Sequence, residues 1–239
     1  MTPFEEILVD VVIPARDEAE SLPGVLAAIP REGYSWRVRR IVVVDNGSGD
    51  ATAAVARAGG ADVVREPVAG YGMACLAGIA SLRSAPPDAV VFLDADHSDD
   101  PSELSSLLAP LVSGAADLVI GSRVLGVREA GAFTPVQAFG NWLASRLLRL
   151  FWGVRATDLG PFRVILWPAL ELLGMHDRDF GWTAEMQARA ARAGLRTVEV
   201  PVSYRRRPSG RSKIAGTVTG SVRAGWKIVT TLLRVRLGG

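Results

Sequence analysis

The strongest constraint on the fold is an alternation of short β-branched runs with longer helical patterns through the first half of the chain. We predict strands at residues 9–13, 41–44, 62–65, 90–93, 118–120 and, much later, 197–202. Helical patterns at 18–28, 51–58, 73–83 and 101–112 separate the first five strands. Continuous apolar strands separated by helices indicate βαβ units, and therefore an α/β fold whose mostly parallel sheet is covered by helices on both faces.

The second half of the chain is less regular. Helical patterns at 137–152, 164–173 and 184–193 precede the last predicted strand. Neither a linker nor an internal repeat interrupts the pattern. We therefore predict one domain over residues 1–213, followed by a basic amphipathic helix over residues 214–239.

Three polar clusters follow three of the predicted strands. They lie at residues 14–18, 45–50 and 94–96, after the first, second and fourth strands. In an open parallel sheet, ligands bind beyond the carboxyl ends of the strands. The clusters therefore predict one shared site. The glycine-rich fingerprint of NAD or FAD sites is missing after the first strand, and the P-loop pattern is also missing.

The third cluster, Asp94-Ala95-Asp96, predicts a metal and diphosphate site. Its two carboxylates leave the end of a strand where both can converge on one hard cation, Mg²⁺ or Mn²⁺, which also takes oxygens from phosphate and water. The alternative interpretation is an acidic turn that caps the helix beginning near Pro101, a role that suits Asp99 and Asp100. Capping explains Asp45 poorly, because it ends a buried strand, where an unpaired carboxylate is costly. Such a carboxylate can accept a hydrogen bond from a nucleotide base or a ribose.

Charge and cysteine content narrow the function classes. The chain carries 27 Lys and Arg against 25 Asp and Glu, which argues against a general nucleic-acid binder. One cysteine and two histidines exclude an internal disulfide and a zinc site rich in these residues. The sequence shows neither a signal peptide nor an apolar stretch of roughly 18–20 residues, so we expect a cytoplasmic protein, at most peripheral on the inner face of the membrane.

Seven motifs appear in a fixed order: IPARDE (13–18), VVDNGSGD (43–50), GYGMACLAG (70–78), FLDADHSDDP (92–101), GSR (121–123), TDLGPFR (157–163) and GRSK (210–213). Their order and spacing together resemble the inverting glycosyltransferases of family 2. That family has the GT-A fold and is typified by dolichyl-phosphate mannosyltransferases and bacterial polyprenyl-phosphate glycosyltransferases. The resemblance covers nearly the whole chain, from about residue 11 to residue 213. It implies a nucleotide diphosphate sugar as donor.

The resemblance also implies roles for single residues. The nucleoside pocket would be lined by Pro14, Arg16, Glu18, Val43 and Asp45. The diphosphate and metal would be contacted by Asp94, Ala95 and Asp96, and phosphates by Arg123, Arg207 and Lys213. An aromatic residue is common in the family where Arg16 stands, so the guanidinium would stack on the base or form a salt link. Ser98 stands where some mannosyltransferases have a glutamine that assists the metal, and it is the candidate third metal ligand.

Whether the enzyme needs a general base depends on the kind of acceptor. A sugar hydroxyl requires a general base, whereas a polyprenyl phosphate is already anionic at neutral pH. Asp158 and Glu185 are the candidate bases, and both are equally compatible with structural roles. We predict transfer of a hexose from a donor of the GDP-mannose or UDP-glucose type to polyprenyl phosphate, with inversion. The alternatives are the same donor chemistry on a soluble or glycolipid hydroxyl, a nucleotide-sugar-binding protein, and a nucleotidyltransferase.

The C-terminal helix bears on the partners. Residues 205–236 contain nine Lys and Arg and no Asp or Glu. At about 100° per residue, one apolar stripe comprises Val218, Val222, Trp226, Val229 and Leu233, widened by Ile228 and Leu232, and Arg223, Lys227 and Arg234 lie opposite. Such a helix either lies on anionic lipid or docks on the domain. The expected partners are thus the donor, the acceptor and a membrane surface or an integral membrane protein, without nucleic acid. A homodimer is left open.

Overall fold

A computed structural model describes residues 6–207 and 218–238, with side chains described to residue 207 and again over residues 225–238. The strands are β1 (Ile7–Ala15), β2 (Glu32–Gly33), β3 (Trp36–Asp45), β4 (Asp62–Arg65), β5 (Ala89–Phe92), β6 (Leu118–Ser122), β7 (Arg163–Leu166) and β8 (Thr197–Pro201). The α-helices are α1 (Leu22–Ala28), α2 (Thr52–Ala58), α3 (Tyr71–Leu82), α4 (Leu104–Val112), α5 (Pro135–Trp152), α6 (Trp167–Leu173), α7 (Trp182–Ala193) and α8 (Val218–Arg236). A single 3₁₀ turn, Pro101–Glu103, leads into α4.

One sheet contains all eight of these strands, in the order β2-β3-β1-β5-β7-β6-β8, with β4 also paired to β3. The pairs β1·β3, β1·β5, β3·β4 and β6·β8 are parallel. The pairs that involve β7, and the short β2·β3 pair, are antiparallel. The predicted α/β class with a mostly parallel sheet is confirmed, and the arrangement is that of the GT-A fold.

The two faces of the sheet are covered by different helices. Val11 and Ile13 of β1 point to one face, where they belong to a core cluster with residues of α1 and α4. Val12 points to the other face and joins a cluster with α3, α6 and α7, in which the rings of Phe92 and Trp182 meet edge to face at 5.8 Å. Successive side chains of a strand point to opposite faces, so both sides of β1 are buried. This burial explains the apolar residues on either side of Asp10, whose own buried carboxylate accepts hydrogen bonds from Arg39.

The helix predicted at residues 164–173 is wrong in its first part. Residues Arg163–Leu166 form β7, which lies between β5 and β6 and is antiparallel to both. The helix begins at Trp167, with Pro168 in its first turn. Val164 and Ile165 are fully buried within the sheet, a setting that favours β-branched residues over a surface helix.

The helix α8 docks on the domain through a seam that differs from the predicted stripe. Leu232 and Val235 are buried, and Ile228 is half-buried, in a cluster with residues of α5 and α7. Trp226 and Leu233, which were predicted on the apolar stripe, are instead 70% and 42% exposed. The side chains of Val218, Val222 and Arg223 lie outside the described residues, as does the predicted boundary at residue 213.

The loop before α7 fixes the position of α8. The buried carboxylate of Asp177 accepts a hydrogen bond from the Thr231 hydroxyl at 2.9 Å and pairs with the Lys227 ammonium at 3.1 Å. Lys227 therefore contributes to docking on the domain. None of the helices within the described residues has the length and hydropathy needed to cross a membrane.

Candidate functional site

The three polar clusters lie together, as the sequence predicts. The strands β3, β1 and β5 are consecutive in the sheet and parallel, so their carboxyl ends share one edge. Ala15 is in register with Asp45, and Val12 with Phe92, which places the loops that follow these strands side by side. The site is thus a property of the sheet topology.

The first two loops are joined by hydrogen bonds. The Asp17 amide donates to the Ser48 hydroxyl at 3.0 Å, and Asp17 Oδ1 accepts from the Gly49 amide at 2.7 Å. The Ala19 amide donates to Asp50 at 3.1 Å. Asp17 has a positive φ of 51°, which turns the chain sharply at this point. The two loops therefore form one continuous wall.

The residues predicted for the nucleoside pocket lie on or beside this wall. The Asp45 carboxylate is half-buried and accepts from the Ser48 amide at 3.0 Å. The Arg16 side chain is about half exposed and lies 4.0 Å from Asp17. Val43 is fully buried inside β3 and belongs to the same core cluster as Val11, so its side chain does not reach the surface of the wall. Pro14, in register with Val44, is half-buried near the end of β1.

The Asp94–Asp96 loop, defined as residues 94, 95 and 96, follows β5. The Tyr71 hydroxyl donates to Asp94 Oδ1 at 3.0 Å. Asp96 is buried, and its Oδ1 accepts from the Ser98 amide at 2.9 Å. The Ala95 carbonyl accepts from the Ser21 hydroxyl at 2.9 Å, which ties the loop to the start of α1.

Two like charges lie close together on this loop. Burial and the neighbouring charge of Asp96 raise the pKa of Asp94 to about 6. Hydrogen bonds from Tyr71 and Ser98 hold these two carboxylates in place. Two carboxylates on one short loop are a set of ligands that fits a hard divalent cation. The described residues contain no group of three or more His, Cys, Asp or Glu side chains placed to hold a metal. The amide of Ser98, the predicted third ligand, is directed at Asp96.

A basic residue from late in the chain enters the site. One Nη atom of Arg207 lies 2.6 Å from Asp96 Oδ2, and the other lies 3.8 Å from Glu18 Oε1. Arg207 therefore links the first and third clusters. Lys213, the second predicted basic residue, lies outside the described residues.

Arg123 is held by protein groups on every side. Its Nε and Nη2 donate to Asp158 at 2.8 and 2.7 Å, and its backbone amide donates to the same carboxylate at 2.8 Å. The guanidinium carbon lies 4.8 Å from the Phe133 ring centroid and 5.0 Å from that of Tyr204. Burial disfavours the charged form of Arg123, but the charge of Asp158 and its hydrogen bonds favour that form more strongly. The pKa of Arg123 is therefore raised above its usual range. This geometry differs from the expected phosphate contact, because Asp158 already neutralises Arg123.

Both candidate bases have structural partners. Asp158 is fully buried, and its two oxygens accept from Arg123. Glu185 is buried, accepts from the Arg189 Nε at 2.8 Å, and accepts from the Asp177 amide at 2.7 Å. A general base has to reach the proton that it removes. The observed contacts favour structural roles for both carboxylates.

The Asp99 side chain does not have the capping role that the sequence suggested. Of the two predicted caps, Asp99 and Asp100, only Asp100 acts as one, and its carboxylate accepts from the Ser102 amide at 3.1 Å. Asp99 instead pairs through its backbone with Tyr204, and its buried carboxylate has no hydrogen-bond partner among the described residues. Burial, with the nearby charge of Asp94, raises the pKa of Asp99 well above its usual range. Such an isolated buried acid is unusual.

Comparison with known proteins identifies the family. Residues 10–166 match the family described as Glycosyl transferase family 2. This span covers all three polar clusters and reaches the end of β7. The chain belongs to glycosyl transferase family 2. It is a hexosyltransferase of this family, and the predicted enzyme class is confirmed.

Individual relatives agree with this family. An uncharacterized glycosyltransferase of Mycobacterium tuberculosis is 44% identical over 226 residues, which cover 93% of this chain and 98% of that protein. The undecaprenyl-phosphate mannosyltransferase of Micrococcus luteus is 30% identical and covers 87% of this chain and 88% of its own length. The crystal structure of glucosyl-3-phosphoglycerate synthase from M. tuberculosis, in complex with Mn²⁺, UDP-glucose and phosphoglyceric acid, superposes with a TM-score of 0.74 at 24% identity. The superposition covers 96% of this chain and 80% of that one.

Two residues of this glycosyltransferase site, Tyr71 and Glu199, were missed by sequence reasoning. Tyr71 lies in the quoted motif GYGMACLAG, but no role was predicted for it, although it bonds directly to Asp94. Glu199 accepts from the amides of Thr157 and Asp158 and so fixes the segment that holds Arg123. The only signal for Tyr71 was its place in a recurrent motif. Glu199 lies in β8 and belongs to none of the quoted motifs, so the sequence did not indicate a role for it.

Proposed function

We propose that this hexosyltransferase moves one hexose, with inversion, from a nucleotide diphosphate sugar of the GDP-mannose or UDP-glucose type to a polyprenyl phosphate. The observation that carries the proposal is the pairing of both candidate bases, Asp158 with Arg123 and Glu185 with Arg189. A hydroxyl acceptor needs a base, whereas an acceptor phosphate is already ionised. The likeness to an undecaprenyl-phosphate mannosyltransferase supports the same class of acceptor.

The wall formed by the first two loops is assigned to the nucleoside. Asp45 accepts hydrogen bonds from the base or the ribose, and the half-exposed Arg16 is free of the core and covers the base. Glu18, Pro14 and Val43 shape the pocket around them. The hydrogen bonds between the two loops hold this pocket in one shape before the donor arrives, which lowers the entropy lost on binding.

The Asp94–Asp96 loop is assigned to the metal and the diphosphate. Asp94 and Asp96 hold Mg²⁺ or Mn²⁺, and the Ala95 backbone lies between them. When bound, the cation neutralises charge on the departing nucleotide diphosphate. Hard carboxylate oxygens support this choice of metal, as does the Mn²⁺ bound in the structurally similar synthase. Ser98 is assigned to positioning Asp96 through its amide.

The transfer itself requires no proton acceptor. An oxygen of the acceptor phosphate attacks the anomeric carbon from the face opposite the diphosphate. The new carbon–oxygen bond forms as the bond to the diphosphate breaks, and the electron pair leaves with the nucleotide. Arg207 turns from Asp96 toward the phosphates, with Lys213 in a similar role. Arg123 acts indirectly, by holding the Asp158 segment in place.

Radiolabelled donor tests the proposal. The purified full-length protein is incubated with GDP-mannose or UDP-glucose, each with and without a short-chain polyprenyl phosphate in detergent, and label is extracted into butanol. We expect butanol-extractable label that requires the acceptor and is abolished by EDTA. Label that appears in a water-soluble product alone would contradict the proposed acceptor.

Two pairs of variants test the residue assignments in the same assay. Asp96→Asn is expected to abolish transfer, whereas Asp62→Asn, which removes an exposed ion pair at the opposite end of β4, is expected to leave it unchanged. Arg207→Gln is expected to lower kcat/KM at least about tenfold, and Arg206→Gln, on the neighbouring exposed side chain, less than about twofold. Equal effects within either pair would contradict the assignment.

A further inference from the structure

The helix α5 has an apolar face that the domain does not cover. Its inner face packs on α7 and α8, where Ala144 and Leu148 are fully buried. Its outer face carries Phe139, Trp142 and Leu150, which are 62%, 52% and 75% exposed. At about 100° per residue these three lie within an arc of about 80°. The outward face of a surface helix normally carries polar residues, so three large apolar side chains there indicate a contact surface.

The charges on this face all have one sign. Arg146 and Arg149 are exposed on the same side of α5, and the helix contains no Asp or Glu. The Arg146 guanidinium carbon lies 5.4 Å from the Trp142 ring centroid, and the Trp142 and Phe139 ring centroids are 5.8 Å apart. Arginine side chains and aromatic rings are therefore interleaved on one surface.

The segment before α5 also carries exposed apolar and basic side chains. Leu125, Val127 and Arg128 in this segment are all exposed. Residues 124–155 contain four Arg and one acidic residue, Glu129. Glu129 accepts from the Arg206 amide at 2.7 Å and lies near its guanidinium, so its charge is offset within the protein.

We propose that the outer α5 face, defined as Phe139, Trp142, Arg146, Arg149 and Leu150, docks on an anionic lipid bilayer. Aromatic side chains favour the interfacial depth of a membrane, and arginines match anionic headgroups. A second copy of the chain fits less well, because a twofold interface places the same patch on both sides, so that arginines would face arginines. The proposed surface also differs from the C-terminal helix, whose Leu232 and Val235 pack inward.

Docking through this face would fix how the site meets the bilayer. The Asn141 side chain donates to the Thr157 carbonyl at 2.9 Å and accepts from the Leu159 amide at 2.8 Å. These bonds bracket Asp158, the partner of Arg123. The helix that carries the outer face is thus bonded to the segment beside the site. The inference stands apart from the proposed acceptor, because it concerns binding to the bilayer alone.

Vesicle flotation tests the inference on the full-length protein. Vesicles of equal parts phosphatidylglycerol and phosphatidylcholine are compared with phosphatidylcholine alone. We expect binding to the anionic vesicles that weakens as salt rises. Phe139→Ser with Trp142→Ser should lower the partition coefficient at least about tenfold, and Arg146→Gln with Arg149→Gln about as much, since each basic residue contributes about 1 kcal/mol, or roughly fivefold.

Matched controls lie on other helices. Leu172→Ser removes a side chain of α6 that is 67% exposed, and Trp226→Ser removes the exposed tryptophan of α8. Both are expected to keep binding within about twofold. Thermal melting establishes that each variant is folded. If the aromatic double variant does not fold, the arginine double variant, which changes exposed side chains alone, decides the question.

Three outcomes would overturn the inference. The first is wild-type protein that does not bind anionic vesicles. The second is loss of binding in Trp226→Ser with retention in the aromatic double variant, which would move the surface to α8. The third is a wild-type dimer in sedimentation that the aromatic double variant converts to a monomer, which would make the face an interface between copies. A failure of the proposed acceptor is separate, because it shows as missing butanol-extractable label in detergent, where no bilayer is present.

Discussion

The hydrogen bond from Tyr71 to Asp94 gives the sharpest test of the metal assignment. The Tyr71 hydroxyl donates to Asp94 Oδ1 at 3.0 Å from the first residue of α3. Burial, with the charge of Asp94, raises the pKa of Tyr71 well above its usual range, so the phenol stays protonated and remains a donor at neutral pH. Tyr71→Phe removes this one donor and keeps the ring. The carboxylate then loses the contact that orients it.

The expected size follows from the hydrogen bond. A hydrogen bond to a charged group contributes about 1.5–3 kcal/mol. Asp94 is half-buried, so water replaces part of what is lost, and we take about 1.4 kcal/mol, just below this range. That corresponds to a tenfold change in an equilibrium constant. Removing a group that orients a metal ligand typically costs about 10–100-fold in metal affinity, which agrees with this value.

The assay measures initial transfer rates against free Mn²⁺ at saturating donor. We expect Tyr71→Phe to raise the Mn²⁺ concentration for half-maximal rate about tenfold, while the rate at saturating Mn²⁺ stays within about twofold of wild type. Tyr34→Phe is the matched control, because that side chain is 84% exposed. An unchanged Mn²⁺ requirement in Tyr71→Phe, or a rate that high Mn²⁺ does not restore, would refute the reasoning.

Three further predictions concern stability. Arg123→Ala leaves its carboxylate partner buried and unpaired, so the free energy of unfolding from urea titration should fall by about 3–5 kcal/mol, and a fall below about 1 kcal/mol would contradict the pairing. Gly72→Ala should lower Tm, because a Cβ there would lie 2.0 Å from a backbone carbonyl, whereas Gly140→Ala, in open space on α5, should stabilise by about 0.5–1 kcal/mol. Asp99 has a raised pKa, so its ionisation removes stability as pH rises above the ordinary range of an aspartate. The Tm of Asp99→Asn should therefore increase relative to that of wild type as pH rises above about 4, and a constant difference would contradict this.

The position of the site could be predicted from the sequence because it depends on local patterns. The buried runs that became β1, β3 and β5 each end in a polar cluster, and parallel strands bring those ends to one edge. The capping role of Asp100 follows from the same kind of local rule. Motif order added the family, which the match over residues 10–166 confirms.

The features that the sequence did not predict correctly depend on contacts between residues that are far apart in the sequence. The strand β7 has four residues, Arg163 and three apolar ones, and is too short for periodicity to separate a strand from a helix. Arg123 and Asp158 lie 35 residues apart, and only the folded chain shows that each satisfies the other. The inward seam of α8 is likewise set by α5 and α7, since several rotations of the helix are compatible with its apolar residues.

The role of the acceptor phosphate is tested by comparing two acceptors that differ only in that group. Wild-type protein is given labelled donor with either polyprenyl phosphate or the corresponding neutral polyprenol, at equal concentrations in the same detergent. We expect labelled lipid from polyprenyl phosphate and none from polyprenol, because the alcohol would need a base and both predicted bases are paired. Comparable labelling of polyprenol would contradict this expectation.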